Sequence, residues 1–288
     1  MAPSAPLIFD MKARRAKRRR AAGRFADHQF MHERAADDVI DRLESVLRHF
    51  ERGIVHGPGA GLVRERLTDA ADVGDLVTAD DLPGEDLETE AAALPLEDDS
   101  IDLAVSFMAL HAANDPLAVL RELRRVLRPD GLVMAILPGE RTLHELRAAL
   151  RTAESNVTGG MSPRVAPMMA VRDGGSLLQA AGFALPVADV DRVAVEYTDP
   201  ARLFSDLRGT GETSNLLEGP KGALRRDVLM ATITAYREQF PGADGGIRAT
   251  VDLIALTGWK PHASQPQPLK PGSATASMSD AMKKQVED

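Results

Sequence analysis

Three glycines, Gly57, Gly59 and Gly61, give the sequence its strongest chemical signal. They directly follow a short apolar run at 53–56, typical of a buried strand, and precede a helix-forming segment that begins at residue 62. Glycines at this spacing let the backbone turn sharply and approach a ligand closely, with the N-terminus of the helix behind the turn. The spacing therefore predicts a nucleotide-binding turn, with a plain glycine-rich loop as the alternative.

An acidic residue stands where such a turn requires one. Asp80 lies nineteen residues beyond Gly61, just after a second apolar run at 75–79. In nucleotide-binding α/β folds, a carboxylate at this place accepts hydrogen bonds from the two ribose hydroxyls. The succession of strand, glycine turn, helix, strand and acid therefore favours a nucleotide-type cofactor over a plain loop.

Histidines are the remaining candidates for acid–base or metal chemistry. His111 follows the predicted strand 101–107, where a substrate would face the cofactor, and is our candidate catalytic residue; a structural role in the loop is the alternative. His28 and His32 are spaced like a pair of metal ligands on a helix. Because no third ligand is identifiable, we predict no metal site and a packing or surface role for this pair. The chain has no cysteine, which excludes disulfides and thiolate chemistry.

Alternating strand and helix patterns must position these residues. Apolar runs predict strands at 53–56, 75–79, 101–107, 132–137, 187–197 and 247–257. Helical spacing predicts helices at 25–52 with one break, and at 62–71, 116–127, 140–153, 171–181, from 200 onward and 221–240. This alternation is typical of a doubly wound α/β fold. We predict a seven-stranded, mostly parallel sheet with an N-terminal helical arm, its last strand antiparallel beside strand 187–197.

Charge divides the chain unevenly. Residues 1–24 carry eight basic residues and one acid, a net charge of +7, which leaves −15 on the rest. An acidic body does not favour general nucleic-acid binding, whereas the arm could contact an acidic partner, RNA or an anionic membrane surface, or be a solvated helix end.

We divide the chain into an arm with an amphipathic helix (1–50), an α/β domain (51–260) and a Pro/Ser-rich tail (261–288). We expect the arm to cover the site as a mobile lid. No apolar run is long enough to cross a membrane.

The motifs resemble those of class I S-adenosylmethionine-dependent methyltransferases. The glycine spacing, the segment 90–103 and the helix-ending segment 123–131 are similar to motifs of that family. The resemblance implies a Rossmann-like fold and S-adenosylmethionine as cofactor. It also implies a set of cofactor-binding residues: Gly57, Gly59, Gly61, Asp80, Glu90 and Ala91.

Further segments narrow the resemblance. The segments 139–147, 160–163, 209–212 and 258–275 are similar to the family of the mitochondrial complex I assembly factor that hydroxylates an arginine. This resemblance, which spans about residues 8–277, implies a protein substrate, an arginine on the iron–sulfur subunit of respiratory complex I. We expect a bacterial, cytoplasmic member of the family. The malonyl-carrier-protein methyltransferase of biotin synthesis is a more distant resemblance.

One position departs from the methyltransferase pattern. The acid that anchors the methionine end of the cofactor is replaced by Val55, which His56 follows. Losing one charge-assisted hydrogen bond costs about 1.5–3 kcal/mol, so we expect weakened cofactor binding. This loss does not favour ordinary methylation, and the resemblance to the assembly-factor family implies arginine hydroxylation, which we therefore predict. A small-molecule or carrier-protein methyltransferase and a non-catalytic assembly chaperone are the alternatives.

Overall fold

A computed structural model of the protein describes residues 7–70, 72–89 and 92–266. Within these ranges the strands are β1 (Phe50–His56), β2 (Val73–Asp80), β3 (Leu87–Glu88), β4 (Ile101–Phe107), β5 (Leu127–Pro138), β6 (Ala184–Tyr197) and β7 (Ile247–Trp259). The α-helices are α1 (Met11–Ala21), α2 (Phe30–Glu44), α3 (Ala60–Ala70), α4 (Pro116–Val126), α5 (His144–Thr158), α6 (Val171–Ala181), α7 (Pro200–Gly209) and α8 (Arg226–Gln239). Short 3-10 helices span Ala22–Asp27, Leu110–Ala112 and Ala243–Gly245.

The described strands form one sheet in the order β3-β2-β1-β4-β5-β7-β6. Neighbours from β3 to β5 are parallel, and β7 lies antiparallel between β5 and β6. The predicted seven-stranded, mostly parallel sheet is confirmed, as is the antiparallel last strand beside 187–197. Because β1, β2, β4 and β5 run the same way, their carboxyl ends meet at one edge, where α/β sheets bind ligands.

Helices cover both faces of this sheet. One apolar cluster joins α2 and α3 to the sheet, and another joins α4 and α6 to the opposite face. Every residue of the central strand β4 is buried. A strand enclosed on both faces is expected in a parallel sheet, and it explains why the segment 101–107 is largely apolar.

Several predicted boundaries were wrong, and the helix predicted at 221–240 spans Arg226–Gln239. Three others differ because of contacts with residues far away in the sequence. The helix predicted at 25–52 is α2 alone after a 3-10 segment, and Phe50 already belongs to β1, where it lies opposite Val73. Strand β5 begins at Leu127 rather than 132, because Leu127 lies opposite Ile101 across a register shift. The helix predicted from 140 begins at His144. Leu143 before it is left-handed (φ 55°), and its N–H donates to the Thr250 carbonyl at 2.8 Å.

The basic arm packs on the body of the protein. Asn114 Oδ1 accepts hydrogen bonds from the backbone N–H groups of Ile8 and Phe9, at 2.9 and 2.8 Å. On α1, Arg14 and Arg18 are buried, each with 6% of its surface exposed. The expectation of a solvated helix end is therefore wrong for these two side chains.

The C-terminal tail lies largely outside the described residues, which end at 266. Gln265, within the described part, is buried and donates to Asp130 Oδ1 at 2.8 Å. Across the described residues, no helix combines the length and the apolar character that a membrane crossing requires.

Candidate functional site

The three predicted glycines form the turn between β1 and α3. Gly57 has φ +124° and Gly59 has φ +81°, backbone conformations that favour glycine. A Cβ atom on Gly57 would lie 2.0 Å from the Phe107 carbonyl oxygen. The Gly61 N–H donates to Glu85 Oε1 at 3.3 Å. The turn therefore brings backbone, rather than side chains, to the carboxyl edge of the sheet.

Gly57→Ala is expected to lower the free energy of unfolding by about 2–6 kcal/mol, since it adds a steric clash to backbone strain. Gly84→Ala is the matched control, because Gly84 has φ +121° but no atom within 4 Å of the added Cβ. Backbone strain alone predicts a loss of about 1–3 kcal/mol there. Urea denaturation of both variants measures the difference, and equal losses would contradict the close approach at Gly57.

Asp80 ends β2 and is buried, as a ribose-binding acid requires, but in this structure it binds Arg18. Arg18 Nη1 donates to Asp80 Oδ1 at 3.0 Å, and Nη2 donates to Oδ2. Arg18 also contacts Asp81. Burial alone would lower the pKa of Arg18, but its hydrogen bonds and ion pair with Asp80 outweigh burial and the pKa is raised. A guanidinium from the arm thus holds both oxygens of the predicted ribose ligand.

His111 lies in the 3-10 turn after β4, and its Nε2 atom is 3.1 Å from Glu212 Oε2. Its Nδ1 atom is buried and has no hydrogen-bond partner among the described residues. Burial alone would raise the pKa of Glu212, but the facing His111 and Arg14 outweigh it and hold that pKa well below its usual range. The pair is therefore an ionised carboxylate that orients an imidazole.

A cavity of about 110 Å³ adjoins this pair at the carboxyl edge of β4 and β5. His32 lines it with a ring that is 2% exposed, and neither ring nitrogen has a partner within the described chain. Burial lowers the pKa of His32 to about 4, so the ring is neutral. Further lining residues include Met31, Met108, His111, Tyr197, Asp206 and Glu212.

His28 and His32 do not share a ligand. His28 Nδ1 lies 2.7 Å from Asp206 Oδ1, whereas the His32 ring packs edge-on against Phe25, with ring centres 4.8 Å apart. Where the structure describes the chain, no group of three or more His, Asp or Glu side chains has an arrangement that could hold a metal.

The start of the glycine motif carries no carboxylate. Val55 is fully buried in the apolar cluster beneath α2 and α3. His56 is also buried, its Nδ1 atom has no partner among the described side chains and backbone, and burial lowers its pKa to about 4. Two of the predicted cofactor-binding residues, Glu90 and Ala91, lie outside the described residues.

Sequence reasoning missed Arg14, Arg18, Asp206 and Glu212 as parts of the site. Arg14 and Arg18 were counted only as arm charge, although their spacing places them on one face of α1. Glu212 was noted only as the end of the segment 209–212, 101 residues from His111. Their meeting depends on long-range packing that no local pattern encodes.

The fold and the glycine turn define a protein of the class I S-adenosylmethionine-dependent methyltransferase superfamily. A family model for a methyltransferase domain matches residues 57–135. The YcgJ protein from Bacillus subtilis shares the fold with a TM-score of 0.53 and 17% identity, over 80% of this chain and 99% of that one.

Within this class, the chain belongs to the family of the mitochondrial arginine-hydroxylase NDUFAF5. The mouse protein is 34% identical over 98% of this chain and 85% of its own length, and the human protein is 33% identical over 95% and 83%. A malonyl-[acyl-carrier protein] O-methyltransferase of Halorhodospira halophila is 29% identical over 83% of this chain and 84% of its own length. The predicted resemblances to the arginine-hydroxylase family and, more distantly, to the malonyl-carrier-protein methyltransferase are confirmed.

Proposed function

We propose that this chain modifies an arginine side chain of a protein during assembly of respiratory complex I, and that the added group is a hydroxyl. The observation that carries the proposal is the match to arginine-hydroxylase NDUFAF5 along 98% of the chain. The geometry supports it, because the ionised Glu212 lines a largely apolar cavity at the carboxyl edge of the sheet. Hydroxylation also requires molecular oxygen and a reductant, which must come from outside the chain.

We further propose S-adenosylmethionine as the ligand of the glycine turn. The residues fit a nucleoside: a turn without side chains of its own at the three glycines, a buried carboxylate at the end of β2, and an unpaired His56 Nδ1 within the described chain. When bound, this cofactor would present a methyl group on a positively charged sulfur; the methyltransferase alternative would transfer that group, whereas the proposed hydroxylation would not. In our proposal the cofactor is held by Gly57, Gly59, Gly61, Asp80, Glu90 and Ala91. Val55 weakens binding, because no carboxylate anchors the amino end.

His111 is the proposed catalytic residue. With its proton on Nε2, the ring donates to Glu212 Oε2, and Nδ1 keeps a lone pair. That atom has no partner among the described residues and belongs to a residue that lines the cavity. It can therefore accept a proton from a substrate nitrogen while Glu212 fixes the tautomer.

The substrate that we propose is the iron–sulfur subunit of complex I, in the cytoplasm of a bacterium. One observation favours a second candidate, a non-catalytic assembly chaperone: Arg18 holds both oxygens of Asp80. A carrier-protein methyltransferase is the other alternative, supported by the likeness to the malonyl-[acyl-carrier protein] enzyme.

Intact mass spectrometry of the iron–sulfur subunit, from cells with and without this protein, separates these functions. We expect the subunit to lose the mass of one oxygen atom when the protein is absent or carries His111→Ala. The matched control is His49→Ala, since His49 is an exposed residue beside Asp72. Loss of the mass of a methyl group would instead indicate methylation. An unchanged mass with failed assembly would favour the chaperone.

A further inference from the structure

Arg14 and Glu212 form a buried ion pair with poor geometry. Arg14 Nη2 approaches Glu212 Oε1 to 3.5 Å, with only 7% of the Arg14 side chain exposed. Among the described residues, Arg14 Nε, Arg14 Nη2 and Glu212 Oε1 are all buried without a hydrogen-bond partner. Each unpaired buried polar group costs about 1–3 kcal/mol, so this contact leaves unused hydrogen-bonding capacity on both sides.

Glu212 also lines the cavity at the carboxyl edge of the sheet. There it stands beside His111, whose Nδ1 atom has no partner in the described chain, and near His32, which is 98% buried with neither ring nitrogen paired within the same residues. Glu212 Oε1 and, with the ring proton on Nε2, His111 Nδ1 are thus two buried acceptors without a hydrogen-bond partner among the described residues, on side chains that line one cavity. Asp206, bound to His28 at 2.7 Å, adds a second carboxylate to the lining.

These acceptors suit a guanidinium better than other cations. A guanidinium presents several N–H donors in a rigid plane, whereas an ammonium is a compact point charge that loses more when it is desolvated. The cavity wall is mainly apolar, with Met31 and Met108 among its members, and suits the aliphatic stem of a long side chain.

We infer that Glu212 receives the guanidinium of the substrate arginine, and that Arg14 of α1 stands in for that guanidinium until the substrate arrives. The choice of arginine rests on the proposed function, while the recognition of a guanidinium rests on the geometry of Glu212. Arg14 and the substrate then compete for one carboxylate. Removal of Arg14 must therefore strengthen guanidinium binding, which a merely structural ion pair would not do.

Methylguanidinium is the probe for this site, and its neutral isostere methylurea is the matched ligand control. With ¹³C-methyl methionine in the full-length protein, we expect methylguanidinium to shift the NMR signals of Met31 and Met108, and methylurea to leave them in place. Arg14→Gln should tighten methylguanidinium binding about threefold or more. Glu212→Gln should weaken it about tenfold or more, as loss of a charge-assisted contact predicts.

Glu212→Gln alone leaves the buried Arg14 charge unpaired, and this could unfold the protein. The double variant Arg14→Met/Glu212→Gln removes both charges and therefore provides a second test. We expect it to melt as a folded protein and to lack methylguanidinium binding. Glu88→Gln, which removes the exposed partner of Arg15 on the same helix, should bind like the parent.

Two kinds of result overturn the inference: equal shifts with methylguanidinium and methylurea, or a methylguanidinium affinity that stays unchanged in Arg14→Gln or in the double variant. If either occurs while the oxygen mass on the iron–sulfur subunit still depends on this protein, the proposed function stands and the inference fails. If methylguanidinium binds through Glu212 but the subunit mass never changes, the inference stands and the proposed function fails.

Discussion

Replacing Arg18 with methionine is expected to strengthen binding of S-adenosylhomocysteine by about ten- to a hundredfold. Arg18 donates to both oxygens of Asp80, at 3.0 Å for the Nη1–Oδ1 pair, and ribose hydroxyls require the same acceptors. Charge-assisted hydrogen bonds contribute about 1.5–3 kcal/mol, and a ligand that must displace them loses that amount from its affinity. Isothermal titration calorimetry of the full chain measures the change.

Two further variants serve as controls for the Arg18→Met titration. Asp80→Asn should weaken binding about ten- to a hundredfold, because the ribose loses a charged acceptor. Arg15→Met should change nothing, since Arg15 sits one turn away on α1 and pairs with Glu88 at 2.8 Å where both side chains are exposed. If Arg18→Met and Arg15→Met bind the ligand equally, then Arg18 does not compete with the ribose. The chaperone proposal would gain support if the parent and all three variants fail to bind.

The contact between Arg18 and Asp80 also shows which parts of the site the sequence can predict. Gly57, Gly59 and Gly61 follow β1, and Asp80 ends β2, and the apolar patterns that predict these two strands are local. The doubly wound, mostly parallel sheet followed from the alternation of strand and helix patterns. Such features depend on neighbours within one βαβ unit, so the sequence can predict where these residues lie, while their binding of a cofactor stays a prediction.

The arm could not be predicted in this way. A count of charges gives +7 for residues 1–24, but it does not say which face of α1 packs on the body. Arg15 is exposed, whereas Arg18 reaches Asp80 across 62 residues of sequence. Burying an arginine is costly without a partner, so its partner must be known before its burial can be predicted. The same holds for Glu212 and His111, which lie 101 residues apart.

Lowering the pH from 7 to 5 is expected to destabilise the protein by about 2 kcal/mol for each of two buried histidines. Burial lowers the pKa of His32 and of His56 to about 4, whereas an unfolded chain holds histidine near its ordinary value of about 6.5. The unfolded state therefore binds protons first as the pH falls. The stability from these neutral rings is fully present above about pH 6.5 and is lost progressively toward pH 4.

His32→Phe isolates one of the two contributions. The His32 ring already packs against Phe25 and Phe107, with centroid distances of 4.8 and 6.1 Å, and neither of its nitrogens has a partner among the described residues. An apolar ring therefore suits the place, and the loss between pH 7 and pH 5 should shrink by about 2 kcal/mol. Urea denaturation at both pH values measures this, and carboxyl groups interfere little because they ordinarily titrate near pH 4.

His49→Gln provides the control with the opposite sign. Asp72 accepts a hydrogen bond from exposed His49 and raises its pKa, so the folded state binds that proton more tightly and gains stability as the pH falls. Removing His49 should thus leave the acid loss slightly larger, whereas removing His32 should make it smaller. A His32→Phe protein whose stability falls with pH as steeply as that of the parent would show that the His32 ring is protonated in the folded state. In that case its charge would have to be matched by Glu212, the carboxylate that the substrate is proposed to need.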